Sequence, residues 1–177
     1  MRVVIPYVSG HLKDGVFAAA SASGYAVELH DVSASDTEFW RLLDSLWRRG
    51  ESFLCIEHDI VVGRDTVKSF AECENPWCSA HYPYNGGVST GLGCTRFRQS
   101  LMREHPDVMS VVGEMEDAVH SPRHWCALDA NLRTVLGILG VPHCGNHGQV
   151  EHLGDQLPSH AVCRPRNSGE QRNGEQG

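Results

Sequence analysis

No segment of this sequence stays apolar for the roughly 18 residues that a membrane-crossing helix needs, so no bilayer span is expected. The opening MRVVIPYVSG carries one basic residue and a short apolar run. It lacks the length and the small-residue cleavage site of a secretion signal, and reads as a first strand. An excess of basic residues is also missing: the formal net charge is -7, which makes a nucleic-acid duplex a poor partner. The seven cysteines include no C-x-x-C pair and are odd in number. Most sit in apolar surroundings, which suits free thiols in a reducing, cytoplasmic setting better than a disulfide framework. There is no G-K-[ST] phosphate loop and no internal repeat. What is present is ordinary: 177 residues with 41% hydrophobic content, enough for one core. The acidic balance does not exclude a phosphorylated ligand, because a bound cation reverses the local field.

The chain alternates in a regular way over its first sixty residues. Residues 3–8 form an apolar run fit for a buried strand, and the Ala-rich stretch 15–23, closed by Gly24, predicts a short helix. Residues 25–32 return to strand composition. A capping box of Ser35 and Glu38 then opens a helix in which Phe39, Leu42, Leu43, Leu46 and Trp47 recur at helical spacing up to Gly50. A compact strand follows over 52–56. Such alternation predicts an α/β fold with a mainly parallel open sheet and helices on both faces. Crossovers of this hand bring the strand carboxyl ends, where ligands bind, to one edge.

The second half is less regular. A short helix is expected over 65–72, an aromatic loop or strand over 76–84, and a strand over 92–97 that leads into a helix ending near Glu104. Residues 106–122 read as a loop or mobile segment. A second clear helix is expected over 127–139, with Leu128, Leu132, Val135, Leu136 and Leu139 on one face. Residues 1–163 are expected to form one domain. Residues 164–177, without an aliphatic side chain, should be a disordered tail.

The triplet Glu57-His58-Asp59 directly follows the third strand, at the edge where a site is expected. Carboxylates at a strand end suit a hard cation such as Mg²⁺ or Mn²⁺, which takes one or two protein carboxylates and leaves its other positions to phosphate and water. Solvated strand-end charges are the alternative. Asp31 ends the second strand and offers either a ligand contact or a turn before a helix. Late histidines at 143, 147, 152 and 160 provide imidazoles for a metal such as Mn²⁺, with His147 expected ahead of His152. Glycines 86, 87, 91 and 93 read as loop freedom and close packing around a ligand. Trp77, His81, Tyr82 and Tyr84 are either packing groups or a stacking platform.

The strand–helix order followed by an acidic triplet resembles the GT-A glycosyltransferases, of the small family 2-like kind. In that resemblance E-H-D stands for the family's D-x-D motif, with Asp59 as its last carboxylate and Glu57 as its first. Gly91-Leu92-Gly93-Cys94-Thr95-Arg96-Phe97 resembles the family's acceptor-side strand. Trp125-x-x-Leu128-Asp129 resembles its late acidic segment, and Pro142-His143 with the histidines beyond resembles its terminal metal ligand. The resemblance implies a GT-A-like catalytic domain over 1–163 and a transfer of a hexosyl or related group from a nucleotide-sugar donor. It further implies Asp59 and a late histidine, His147, as ligands to Mn²⁺ or Mg²⁺; Asp31, Glu57 and Asp59 at the donor; and Asp129 as general base. Asp59 should then lie open to a cleft rather than buried in an ion pair.

Two other classes fit parts of the sequence. Cys73, Cys78 and His81, with His143, Cys144 and His147, supply nitrogen and sulfur ligands for a zinc-stabilised module, although their spacing matches no common finger. A non-catalytic nucleotide-binding domain of the same fold is the other. Cys55, Cys94 and Cys126 read as small buried apolar residues.

Overall fold

The structure, a computed structural model, describes residues 1–84, 87–89, 91–115, 121–148 and 150–153. The tail expected at 164–177, and His160, lie outside these.

The first half alternates as its periodicity predicts: β1 (Arg2–Tyr7), α1 (Val16–Ser21), β2 (Val27–Asp31), α2 (Glu38–Arg49) and β3 (Phe53–Ile56). There follow β4 (Ile60–Val61), α3 (Arg64–Glu72), β5 (Trp77–Ser79), β6 (Tyr82–Tyr84), β7 (Gly87–Ser89) and β8 (Cys94–Phe97). The chain continues with α4 (Gln99–Glu104), α5 (Val108–Val112), α6 (Trp125–Ile138), β9 (His143–Cys144) and β10 (Glu151–His152).

The central sheet has six strands in the order β2-β1-β3-β8-β5-β9. β1 pairs in parallel with both β2 and β3, β5 pairs in parallel with β9, and β8 runs antiparallel between β3 and β5. Five strands thus share a direction, and β1, β2 and β3 end on one edge.

Period-two alternation divides the core into two layers. Val4, Phe53, Cys55, Trp77 and Phe97 face α2, α4, α5 and α6, whereas Val3, Ile5, Leu54, Ile56, Cys78 and Cys94 face α1 and α3. Helices therefore cover both faces, and β1 and β3 are buried along nearly their whole length, as central strands of such a sheet must be.

Several local expectations are corrected. Ser35 does not cap α2: the helix starts at Glu38 with Thr37 at its N-cap and no side-chain cap bond, while Ser35 Oγ reaches the Glu38 carboxylate at 3.2 Å. Gly50 does end α2, in the left-handed conformation with φ 63°. Residues 106–122 are not simply a loop, because α5 buries Val108, Met109 and Val112. Two tryptophans of α2 tie that region down. Trp40 Nε1 donates to the Met109 carbonyl at 3.1 Å, and Trp47 Nε1 donates to the His105 carbonyl at 2.9 Å. Such bonds satisfy the buried indole donors. Leu139 falls just past α6 and is largely exposed. Cys55 and Cys94 are buried free thiols as expected, but Cys126 is half-buried and disulfide-bonded.

Candidate functional site

The carboxyl end of β3 leads straight into the acidic triplet. The Glu57 N–H donates to the Gly93 carbonyl at 2.8 Å, and the Ile60 N–H closes a turn onto the Glu57 carbonyl at 3.1 Å. This turn holds Glu57 against the loop that precedes β8 and directs Asp59 inward. Asp59 is only 6% exposed. Its Oδ2 lies 3.1 Å from His152 Nε2, and its Oδ1 is buried with no hydrogen-bond partner among the described residues. The antiparallel pairing of β10 with β4 sets this contact: His152 is the register partner of Ile60, and the Leu153 N–H donates to the Asp59 carbonyl at 2.9 Å.

Asp59 is therefore not the open carboxylate expected from sequence, and the late histidine that reaches it is His152, not His147. His147 instead packs against α3. There it stacks on Phe70, with ring centroids 4.4 Å apart, and meets Ser69 and two cysteines.

Asp129 enters from the first turns of α6. Its Oδ1 accepts the Leu92 N–H at 3.0 Å. A methyl group on Gly91 would lie 2.1 Å from Asp129 Oδ2, and one on Gly93 would lie 2.8 Å from the Tyr82 ring. These glycines thus serve close approach, one of the roles expected of them. Burial raises the Asp129 carboxyl to about 6, against the opposing pull of the Leu92 N–H and Arg133. Burial, followed by the charges of Asp129 and Asp59, raises Glu57 to about 8. Three carboxyl groups from two segments, the turn after β3 and α6, are thus close enough for Asp129 and Asp59 to act on Glu57.

Tyr82 lies between these groups, buried, with its ring 5.6 Å from that of His152. Trp77 stacks on Phe97 in the core. Both serve as packing groups; the side chain of Tyr84 lies outside what is described. Asp31 is at the carboxyl end of β2, opposite Tyr7 of β1, so it shares the edge of the sheet with Glu57. It is exposed and accepts the Ser33 N–H at 2.9 Å and the Ser33 hydroxyl, which together lower its carboxyl below the usual range. That geometry is the turn alternative of the sequence reading.

Two contributors lacked a clear signal. His152 belongs to a two-residue strand, too short for periodicity to reveal. Tyr82 matters through the glycines opposite it, a contact made across the fold.

No protein-family model matches the sequence, and no curated protein matches it. Among solved structures the chain is similar to a glycosyltransferase involved in the glycosylation of the major capsid of PBCV-1, with a TM-score of 0.54 and 13% identity over 88% of this chain and 95% of that one. Weaker likenesses are to A197 from STIV, with a TM-score of 0.47 and 11% identity over 74% of this chain and 78% of that one. A CMP:2-keto-3-deoxy-manno-octonic acid synthetase complexed with CTP gives 0.42 and 10% over 84% and 90%. The mixed α/β sheet with helices on both faces is a GT-A-like fold.

Proposed function

We propose that this chain is a transferase of the GT-A type that takes a nucleotide-sugar donor at the carboxyl edge of its sheet, with a divalent cation held by Asp59. The observation that carries the reading is the convergence of Glu57, Asp59 and Asp129 at one strand end, where Glu57 is driven to about 8 by its burial and its acidic neighbours. Crowded buried carboxylates are costly, and a cation would reduce that cost beyond what Arg133 and His152 supply.

The fit is supported by Asp59 Oδ1, a buried acceptor with no partner among the described residues. It is also supported by His152 beside Oδ2, since carboxylate oxygen and imidazole nitrogen together suit Mn²⁺ or Mg²⁺. His152 replaces His147 in this role. Such a cation would supply charge stabilisation for the departing nucleoside diphosphate.

Asp129 is the general base of the proposal. Its carboxyl, at about 6, is ionised at neutral pH yet basic enough to accept the proton of an acceptor hydroxyl. The Leu92 N–H fixes its other oxygen. Asp31 stays with the donor as a ribose or base contact, an idea supported only by its shared sheet edge.

The test is turnover of a panel of nucleotide-sugars with and without Mn²⁺ or Mg²⁺. Asp59→Ala is expected to abolish cation-dependent turnover while the far-ultraviolet spectrum is kept. Near-normal turnover in that variant, or no binding and no turnover with any donor by the wild type, overturns the proposal.

A further inference from the structure

A second group of potential ligands gathers beside α3, and the proposed transfer reaction does not use it. The ligand atoms of Cys73, Cys78 and His147 all lie within 4.8 Å of one another. Cys78 is in β5, Cys73 directly follows α3, and His147 follows β9. A fourth group comes from β9 itself. Cys144 is the register partner of Cys78, and its thiol is hydrogen-bonded to Cys73.

Two further observations point to a ligand here. His147 is 6% exposed; its Nδ1 is 2.8 Å from Ser69 Oγ, while its Nε2 is buried with no hydrogen-bond partner among the described residues. A ring clamped through Nδ1 by a hydroxyl and stacked on Phe70 offers the Nε2 lone pair inward, as ligating histidines do. The second is Arg96, which is 1% exposed. Its Nε donates to Cys78 Sγ at 3.3 Å, and its Nη2 donates to the carbonyls of Cys73 and Asn75 at 3.0 and 2.8 Å. No carboxylate pairs with it among the described residues. A buried guanidinium stays charged and requires a counter-charge.

We propose that Cys73, Cys78, Cys144 and His147 form a structural zinc site. Three thiolates and one Zn²⁺ leave a single negative charge, and Arg96 balances it. Each thiol gives up its proton to solvent on binding. Sulfur with imidazole nitrogen in a set of four is a zinc set, distinct from the oxygen-rich set around Asp59. Ligand atoms around tetrahedral zinc stand about 3.5–3.8 Å apart, a spacing compatible with the 4.8 Å within which those of Cys73, Cys78 and His147 lie. An open cleft of about 420 Å³, lined by residues that include Ser69, Cys73 and His147, gives the ion access. The site would pin the two-residue edge strand β9 and the turn after it to the end of α3. That segment leads within five residues to His152.

The full chain, expressed in zinc-supplemented medium and purified without chelator, is expected to carry one zinc equivalent by mass spectrometry of the metal. His147→Ala and Cys78→Ser should each lose most of it, whereas Asp59→Ala should keep it. Since Cys78→Ser alters the core, the wild type is also stripped and refilled with Co²⁺, which should give the thiolate charge-transfer absorption and strong visible bands of a tetrahedral sulfur site. A zinc content well below one equivalent in the wild type overturns the proposal. So does zinc retained in His147→Ala or lost in Asp59→Ala, or a Co²⁺ form without thiolate absorption.

Discussion

Glu57 gives the most direct test of the acidic cluster, because its proton uptake couples to stability. In the cation-free fold it titrates at about 8, against an ordinary 4.5. Between those values the folded state holds a proton that the unfolded chain has released. Stability is therefore fully present below about pH 4.5 and declines as pH rises through about 8. The limiting slope is about 1.4 kcal/mol for each pH step of one. Asp129, raised from 3.8 to about 6, acts in the same direction over its own lower window. The two acids titrate as a pair, so the expected total between pH 5 and 8 is on the order of a few kcal/mol. Urea unfolding in chelator across that range measures it as a falling midpoint at constant slope. Glu57→Gln should remove most of the decline above pH 6, and millimolar Mn²⁺ should flatten the wild-type curve. A wild-type stability that stays level or rises from pH 6 to 8 in chelator, or a decline that survives in Glu57→Gln, refutes the crowding of charge on which the site rests.

Other outcomes follow from single contacts. Gly91→Ala places a methyl group 2.1 Å from Asp129 Oδ2; overpacking of about 1–3 kcal/mol should lower the melting temperature, while Gly137→Ala, with open space around it, should leave it equal or raise it. Asp129→Asn should cut the transfer rate by about 10²–10⁴ with little change in donor affinity measured by calorimetry; loss of affinity alone would argue against a base. Trp40→Phe removes the bond to the Met109 carbonyl, which keeps the Gly113 N–H, so urea unfolding should register a loss of about 0.5–1.5 kcal/mol.

The first half of the fold was legible because its signals are long. Phe39, Leu43, Leu46 and Trp47 repeat over three turns of α2, and the runs of β1 and β3 are apolar on both faces because both are covered. The reversed direction of β8 left no such mark, since Cys94–Phe97 is equally buried in either direction. Residues 108–112 were lost in an acidic, proline-bounded stretch because one and a half turns are too few for a period. The proposed zinc ligands were individually visible, but choosing four among six required the sheet. The two-residue strand β9 sends His143 to Trp77 and Ser79 on one face, and Cys144 to Cys73 and Cys78 on the other. Arg96 gave no warning at all. A strand arginine ordinarily points to solvent, and only the pairing of Arg96 with Cys78 shows where its charge goes.

The pairing of Asp59 with His152 bears on the cation more than on its absence from the surface. His152 Nε2 lies 3.1 Å from Asp59 Oδ2 in a buried place. It serves Oδ2 either by donating an Nε2–H or by sharing a metal ion through its lone pair. A proton satisfies Oδ2 alone and leaves Oδ1 without a partner among the described residues, beside a Glu57 already driven to hold its own proton. A divalent ion would address both oxygens of Asp59 and relieve Glu57 in the same step. On the proposed reading, the Asp59–His152 contact and the cation would be two occupancies of one arrangement. That arrangement depends on β10 bringing His152 alongside Ile60, so the placement of the late chain segment governs whether the acidic triplet binds anything.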